Sequence, residues 1–478
     1  MDLWSICWIS ITSLSVIAST HWIYKWYNPK CNGKLPPGSM GLPLIGETIQ
    51  FIIPSRSLDI PHFVKKRIQK YGPLFRTNLM GKPVIISSNA DFNHYLLQQE
   101  GKLVERWFMD SFSKLLKHDA TKLISNQDNL HKYLRNLVLS HFGLERLKDK
   151  LIPELEAGIR KRLQIWSTLP TIDTKNACAA MVFDFSAKIL FGYDPEKSGE
   201  NLGESLSNFL QGFMSIPLNI PGTAFHNCIK TQKRAIEIIT NLVKERRDNP
   251  QLRRGDFLDQ ILEDMKKDSF WTDEIAIHVM FWLNLASFET ISSTLGVAIQ
   301  FLTDNPLVVE KMRDEHEAII KNRENKDSGL TWKEYKSMTY THQVVNEANR
   351  MASVAPGLLR KAITDIQVDG YTIPKDWIIM VVPASIMLDS NTYKDPLKFD
   401  PSRWNNVGSV SMGKNFVAFG GGSRACAGAE FSKVLIAIFF HVFVTDYRWT
   451  KIQGANMSRT PALGFGNGYR IKVTEKQG

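Results

Sequence analysis

The stretch FVAFGGGSRACAGAEFSKV, Phe416 to Val434, sets three glycines before Arg424, places Cys426 two positions on, and passes through Gly428 into helix-forming residues. Glycines on both sides of a cysteine let the backbone approach a flat ligand and adopt positive φ. Backbone N–H groups in such a loop, with the N-terminus of the helix that follows, stabilise a thiolate. Arg424 adds a cation for that thiolate or for nearby carboxylates. The plainer reading is a small buried hydrophobe, which most cysteines are. A phosphate loop is excluded, because G-x-x-x-x-G-K-S/T is missing and no G-x-G-x-x-G opens a βαβ unit. A ligand thiolate remains.

The other four cysteines are Cys7, Cys31, Cys178 and Cys228, widely separated and without a C-x-x-C pair. This is neither a disulfide framework nor a zinc site, and it points to a reducing compartment. A chain of 478 residues can bury a large core, in one big domain or a few ordinary ones. Lys and Arg exceed Asp and Glu by 59 − 48 = 11. The basic residues are dispersed, with no basic run carrying interleaved aromatics, so nucleic acid is not an expected partner.

The segment LWSICWISITSLSVIASTHWIY, Leu3 to Tyr24, carries no Asp, Glu, Lys or Arg and is about as long as a membrane-crossing helix of ~20 residues. Trp4 and Trp8 lie near one end and Trp22, Tyr24, Trp26 and Tyr27 near the other, as aromatic belts do. Lys25, Lys30 and Lys34 follow it, which leaves the rest of the chain in the cytosol by the positive-inside rule. A cleaved signal peptide would open with a positive n-region, which is absent. The expected organisation is therefore a single-pass anchor at 1–25, a proline-rich hinge at 26–45, and one domain at 46–478.

In that domain GPLFRTNLMGKPVIISS (Gly72 to Ser88) reads as two short strands around a turn. From about Asp91 to Gly357 the pattern is helical, and strand-like pieces follow at Asp365 to Ala384. After the cysteine loop come one long apolar helix and ALGFGNGYRIKV, which reads as a hairpin. The fold class expected is mainly α, with small β-sheets at the two sequence ends. The break IPLNIPG (Ile216 to Gly222) is apolar for a loop, and is either a packed surface turn or a lid dipping into a membrane.

Three further constellations carry candidate chemistry. The helix around FWLNLASFETISSTLGVAIQFL (Phe281 to Leu302), expected to start near Thr272, is apolar around its circumference and therefore buried. Glu289 is its only charged residue between Ile275 and Leu302, and a lone buried acid is costly unless paired, hydrogen-bonded or protonated. It is either a core acid satisfied by a distant arginine or, with Thr290, an acid–alcohol pair that passes protons. Glu347 and Arg350 share a helix face at i, i+3, ordinarily a surface pair. His131 and Arg135 share another at i, i+4.

Phe419, Gly422, Arg424, Cys426 and Gly428 together match F-x-x-G-x-R-x-C-x-G, and the loop resembles the haem-binding loop of cytochromes P450. The resemblance implies that Cys426 is the axial ligand of haem b, with Phe419 shielding the sulfur. Ala286-Ser287-Phe288-Glu289-Thr290 is similar to the family's distal-helix motif, with Ser287 where glycine is common. Glu347, Arg350 and Arg403 (in FDPSRW) match the residues that form the family's Glu–Arg–Arg lock, a structural role. His131, Arg135, Arg360 and Arg424 resemble its propionate-binding cations, His131 standing where tryptophan is usual.

LPPGSMGLPLIGETIQF, HKYLRNLVLSHFG, PLNIPGT and RTPALGF are similar to plant enzymes acting on steroids and triterpenoids. The resemblance implies a monooxygenase on the cytosolic face of the endoplasmic reticulum, using O2 and electrons from NADPH through a partner reductase, on a sterol or triterpenoid. Trp107, Phe112, Phe281, Ala286, Val354, Leu358 and Leu463 fall where such enzymes line the substrate pocket. Two other readings stay open on the same scaffold: an O2-independent isomerase or dehydratase, and a non-catalytic haem-binding protein.

Overall fold

The computed structural model describes residues 3–108, 127–194, 218–267, 270–323, 328–405, 409–460 and 462–476, with single positions between 203 and 215. Its helices include α1 (Leu3–Tyr27), α2 (Ala90–Leu97), α3 (Gln127–Phe142), α4 (Ile152–Thr168), α5 (Thr174–Phe191), α6 (Asp273–Asp304), α7 (Thr339–Ala352) and α8 (Ala429–Asp446). Strands β1 (Leu74–Leu79), β2 (Lys82–Ser87), β3 (Val104–Arg106), β4 (Ile172–Asp173), β5 (Leu358–Ala362), β6 (Ile366–Val368), β7 (Tyr371–Ile373), β8 (Ile378–Val381), β9 (Tyr447–Gln453), β10 (Ser458–Thr460), β11 (Ala462–Gly464) and β12 (Arg470–Glu475) form four small sheets.

The largest sheet has the order β1-β2-β8-β5-β3. It joins segments far apart in sequence, with β2 and β8 parallel and the other neighbours antiparallel. The expectation of separate sheets at the two sequence ends is corrected by this pairing. The interior of β2 and β8 is a run of buried Val, Ile and Met, as strands covered on both faces require. The helical reading of Asp91 to Gly357 missed β3 and β4, each too short to show a period of two. The terminal segment is not a hairpin: β11 pairs with β10, whereas β12 pairs with β9 and β4.

Helix α6 runs through the middle of the core. Thr272 caps it, its hydroxyl accepting from the Ile275 N–H at 3.2 Å, and apolar residues cover nearly its whole circumference. Among the described residues it is the helix long and apolar enough to cross a membrane, and 72% of that span is buried in the protein. Long-range packing against α5 and α7 explains that composition. Helix α8, beginning three residues after Cys426, buries Phe431, Phe439, Phe440 and Phe443 in the same core. The hinge packs on the domain rather than hanging free: the Thr372 N–H donates to the Lys34 carbonyl at 2.7 Å and the Arg76 N–H to the Pro37 carbonyl at 2.8 Å.

Candidate active site around Cys426

The cysteine loop hangs between α8 and the C-terminal end of α2. The Cys426 N–H donates to Phe419 O at 2.9 Å, closing the loop on itself. Gly422 adopts φ +64°, and a Cβ there would collide with the Leu97 carbonyl. That glycine therefore serves packing between loop and helix, not approach to a ligand. At Gly428, by contrast, an added Cβ would meet nothing within 4 Å.

Cys426 is surface-accessible yet ringed by protein, as a side chain facing an internal cavity is. A cavity of about 450 Å³ lies on it, lined among others by Trp107, His131, Arg135, Leu283, Leu358, Arg360 and Arg424. Burial pushes the Cys426 thiol up, while the Gly428 N–H and Arg135 pull it down. The cation acting on the sulfur is thus Arg135, whose Nη1 also donates to Ala425 O at 2.6 Å. Of the two partners left open for Arg424, the structure gives a carboxylate: its Nε lies 3.4 Å from Glu100 Oε1.

The lining of this cavity is strongly cationic. Arg106 on β3 stands directly across from Arg360 on β5. Burial and the charges of Arg360 and Arg424 depress Arg106 to about 10. Like charges facing each other on neighbouring strands repel, so the wall calls for anions. Arg106 was not recognised in the sequence; an isolated arginine on a three-residue strand carries no pattern. A flat macrocycle with a soft metal centre and two carboxylates fits this donor set: one thiol, a cationic wall and apolar Trp107, Leu283 and Leu358.

Leu283, Ala286 and Thr290 fall on one face of α6 at i, i+3 and i+7, and Ala286 and Thr290 are both exposed within an otherwise buried stretch. This face leads from the cysteine cavity, which Leu283 lines, to a second one of about 320 Å³ lined by Lys175, Glu289, Thr290, Ser293, Val354 and Leu463. Thr290 Oγ1 donates to Ala286 O at 3.3 Å. The Ser287 hydroxyl is turned back on Asn284 O at 2.6 Å, so the serine in place of glycine does not project into the notch. Glu289 is buried and held by Lys175 Nζ at 2.8 and 2.9 Å; the satisfying cation is a lysine, not an arginine. Burial nevertheless raises the Glu289 carboxyl above its ordinary value.

The remaining sites fall as follows. Glu347 receives Arg350 through two bonds of 2.8 Å, Arg403 Nε at 2.9 Å and Trp404 Nε1 at 3.0 Å, fully buried. The structure thus brings together the three residues paired by resemblance and adds Trp404. Phe281 is 1% exposed and edge-on to Phe209 at 5.5 Å. It belongs to the core rather than to a cavity wall, which corrects its place among the pocket residues. Phe112 lies outside the described residues. A larger groove of about 920 Å³ runs between α4 and α5, away from Cys426, with mixed charges and an open side.

A thiol at a cavity floor, a cationic wall and a distal helix bearing an acid and an alcohol define a haem-thiolate enzyme. The chain belongs to the cytochrome P450 family, whose model matches residues 36–468. It is 44% identical over 474 residues to a beta-amyrin 16-alpha-hydroxylase of Maesa lanceolata, covering 99% of this chain and 100% of that one. It is 45% identical over 475 residues to a cucurbitadienol 11-hydroxylase of Siraitia grosvenorii, with the same coverage. It is 34% identical over 448 residues to a cholesterol 22-monohydroxylase of Paris polyphylla, covering 92% and 93%. The retinoic acid-bound cyanobacterial CYP120A1 superposes with a TM-score of 0.81 at 27% identity, over 93% of this chain and 100% of that one. The protein is an NADPH-dependent monooxygenase that carries haem b, uses O2 and takes electrons from a partner reductase.

Proposed function

We propose that this monooxygenase hydroxylates, or oxidises in successive steps, a rigid triterpenoid or sterol at the cytosolic face of the endoplasmic reticulum. The observation that carries the reading is near full-length similarity to two triterpenoid hydroxylases. The apolar Val354 and Leu463 beside Thr290 agree with it, since lipophilic ligands are held by apolar walls with few polar groups.

Haem bound through Cys426 supplies O2 activation, the thiolate's electron donation favouring O–O cleavage. Cys426 supplies the metal ligand, and Phe419, Gly422 and Gly428 shape its loop. Arg135, Arg360, Arg424, Arg106 and His131 provide the cations and donors for the two carboxylates. Thr290 holds a hydroxyl at the notch beside Ala286, and Glu289 is the proton reservoir next to it. Burial raises its carboxyl while Lys175 opposes the rise, so it holds a proton more readily than an exposed acid would. Glu347, Arg350 and Arg403 hold the protein beneath the cysteine loop. Trp107, Leu358, Ala286, Val354 and Leu463 contact substrate or cofactor.

The anchor at 1–25, the hinge at 26–45 and the catalytic domain at 46–478 complete the reading. Helix α1 is exposed along most of its length, including Trp4, Trp8, Ile11, Leu14 and Ile17, as a segment surrounded by lipid is. Leu42, Leu44, Ile45, Ile49 and Ile53 behind it are exposed too, as are Leu218 and Ile220 of the proline-bounded loop. An exposed apolar surface of this kind suits a membrane.

The test is co-expression with a reductase and a panel of tetracyclic and pentacyclic triterpenes and sterols, with products read by mass spectrometry. The expected outcome is an NADPH-dependent product 16 mass units heavier than one of them. Turnover confined to fatty acids or small aromatics would overturn the substrate class, and product formed without NADPH would overturn the monooxygenase.

A further inference from the structure

Glu100 lies just beyond the C-terminal end of α2, on the turn that leads into β3. Its Oε2 is 2.7 Å from Arg360 Nε and its Oε1 is 3.4 Å from Arg424 Nε. All three side chains are 9% exposed or less. Arg360 and Arg424 come from different parts of the chain, one on a strand and one in the cysteine loop. Glu100 is the carboxylate that touches both. The 2.7 Å contact is not aligned as a hydrogen bond: Arg360 Nε and Glu100 Oε2 point past each other, and neither has another directed partner. The contact thus acts through charge and placement more than through bond directionality.

Among the described residues, Arg106, Arg360 and Arg424 bring positive charge to this wall and Glu100 opposes it. Arg135 lines the same cavity, where it also acts on the Cys426 sulfur and donates to the loop carbonyl. Burial and the charges of Arg360 and Arg424 depress the Arg106 guanidinium, and Glu100 opposes that depression.

We propose that Glu100 is a positioning residue of the cofactor site: it holds Arg360 and Arg424 side by side and tempers the positive charge that they present to the haem carboxylates. This rests on the haem assignment above and deepens it. Glu100 itself does not touch the reacting atoms; it acts through the two arginines.

The experiment uses the full-length holoprotein and Glu100→Gln, which keeps the shape and removes the charge. Haem transfer to excess apomyoglobin should be ~10-fold faster in the variant, as is usual when a group orienting a cofactor's ligands is lost. The reduction potential should move positive, because one negative charge near the cofactor is gone. Glu105→Gln is the control, since Glu105 is exposed and pairs with Lys361 at 3.1 Å; both readouts should stay at wild-type values. Glu100→Asp keeps the charge but shortens the reach, so it should lose haem faster with an unmoved potential, and it carries the test if Glu100→Gln does not accumulate. Haem loss that is unchanged or slower in both Glu100 variants would overturn the proposal, slower loss meaning that the carboxylate merely competes with the cofactor. A wild-type protein that binds no haem would overturn the cofactor site itself.

Discussion

Lys175 and Glu289 are 114 positions apart in sequence, yet Lys175 Nζ lies 2.9 and 2.8 Å from the two carboxylate oxygens of Glu289, both side chains nearly excluded from solvent. Lys175 sits in the first turn of α5, where a cation opposes the helix dipole. The same N-terminus favours the Glu289 carboxylate. The lysine's position is unfavourable for its own helix and is accounted for by its partner.

Removing either member should separate stability from turnover. Lys175→Met leaves a buried acid unpaired and should cost about 3–5 kcal/mol of stability. Its carboxyl, already raised by burial, should rise further, moving the pH optimum of turnover upward. Glu289→Gln should slow turnover by about 100-fold with haem content preserved. The double variant Lys175→Met/Glu289→Leu should regain stability but not turnover, measured by thermal unfolding and product formation. Wild-type turnover in Glu289→Gln would remove this residue from the proton path.

Thr290→Ala removes a hydroxyl whose protein contact is a 3.3 Å bond to Ala286 O, so the fold should be unaffected. Product formed per NADPH consumed should fall several-fold, with the balance appearing as hydrogen peroxide. Unchanged coupling would mean that Thr290 carries no proton.

The buried lock is a stability element. Glu347→Ala leaves Arg350, fully buried, without its carboxylate and should cost about 3–5 kcal/mol. Holoprotein should not accumulate, read as loss of the red-shifted band of the reduced, CO-bound form. Arg403→Lys should be milder, since that side chain is 12% exposed and can keep one bond. Equal losses in the two variants would contradict this ranking.

Acid should unfold the protein through His316 and His441, which are fully buried and joined at Nδ1 by a 3.0 Å contact. Burial depresses them to about 2 and about 4. Below the unfolded value of about 6.5 the unfolded chain binds protons that the folded one refuses, so stability falls as pH falls. The loss reaches about 2 kcal/mol per histidine at pH 5. His316→Gln/His441→Gln should flatten the acid limb of Tm against pH; an unaltered limb would place the acid sensitivity elsewhere.

Local pattern was enough where function is written in a short segment. The loop from Phe419 to Gly428 carries the family's pattern within ten residues, and the lone Glu289 in an apolar helix announces a buried acid. Strands β1 and β2 and the start of α6 followed from turn and cap residues close in sequence.

What the sequence by itself determined is therefore the glycine-rich loop around Cys426, the adjacent Glu289 and Thr290 and the apolar helix that carries them, all set by residues a few positions apart. Only the tertiary structure decided the partners: Lys175 for Glu289, Glu100 and Arg106 for the cationic wall, Trp404 for the lock, and Leu97 as the reason for Gly422. It also split the terminal segment between two sheets and placed Phe281 in the core. The physical reason is that charge pairing and close backbone packing act through space over a few ångströms. Their members come from strands and turns too short to carry a period.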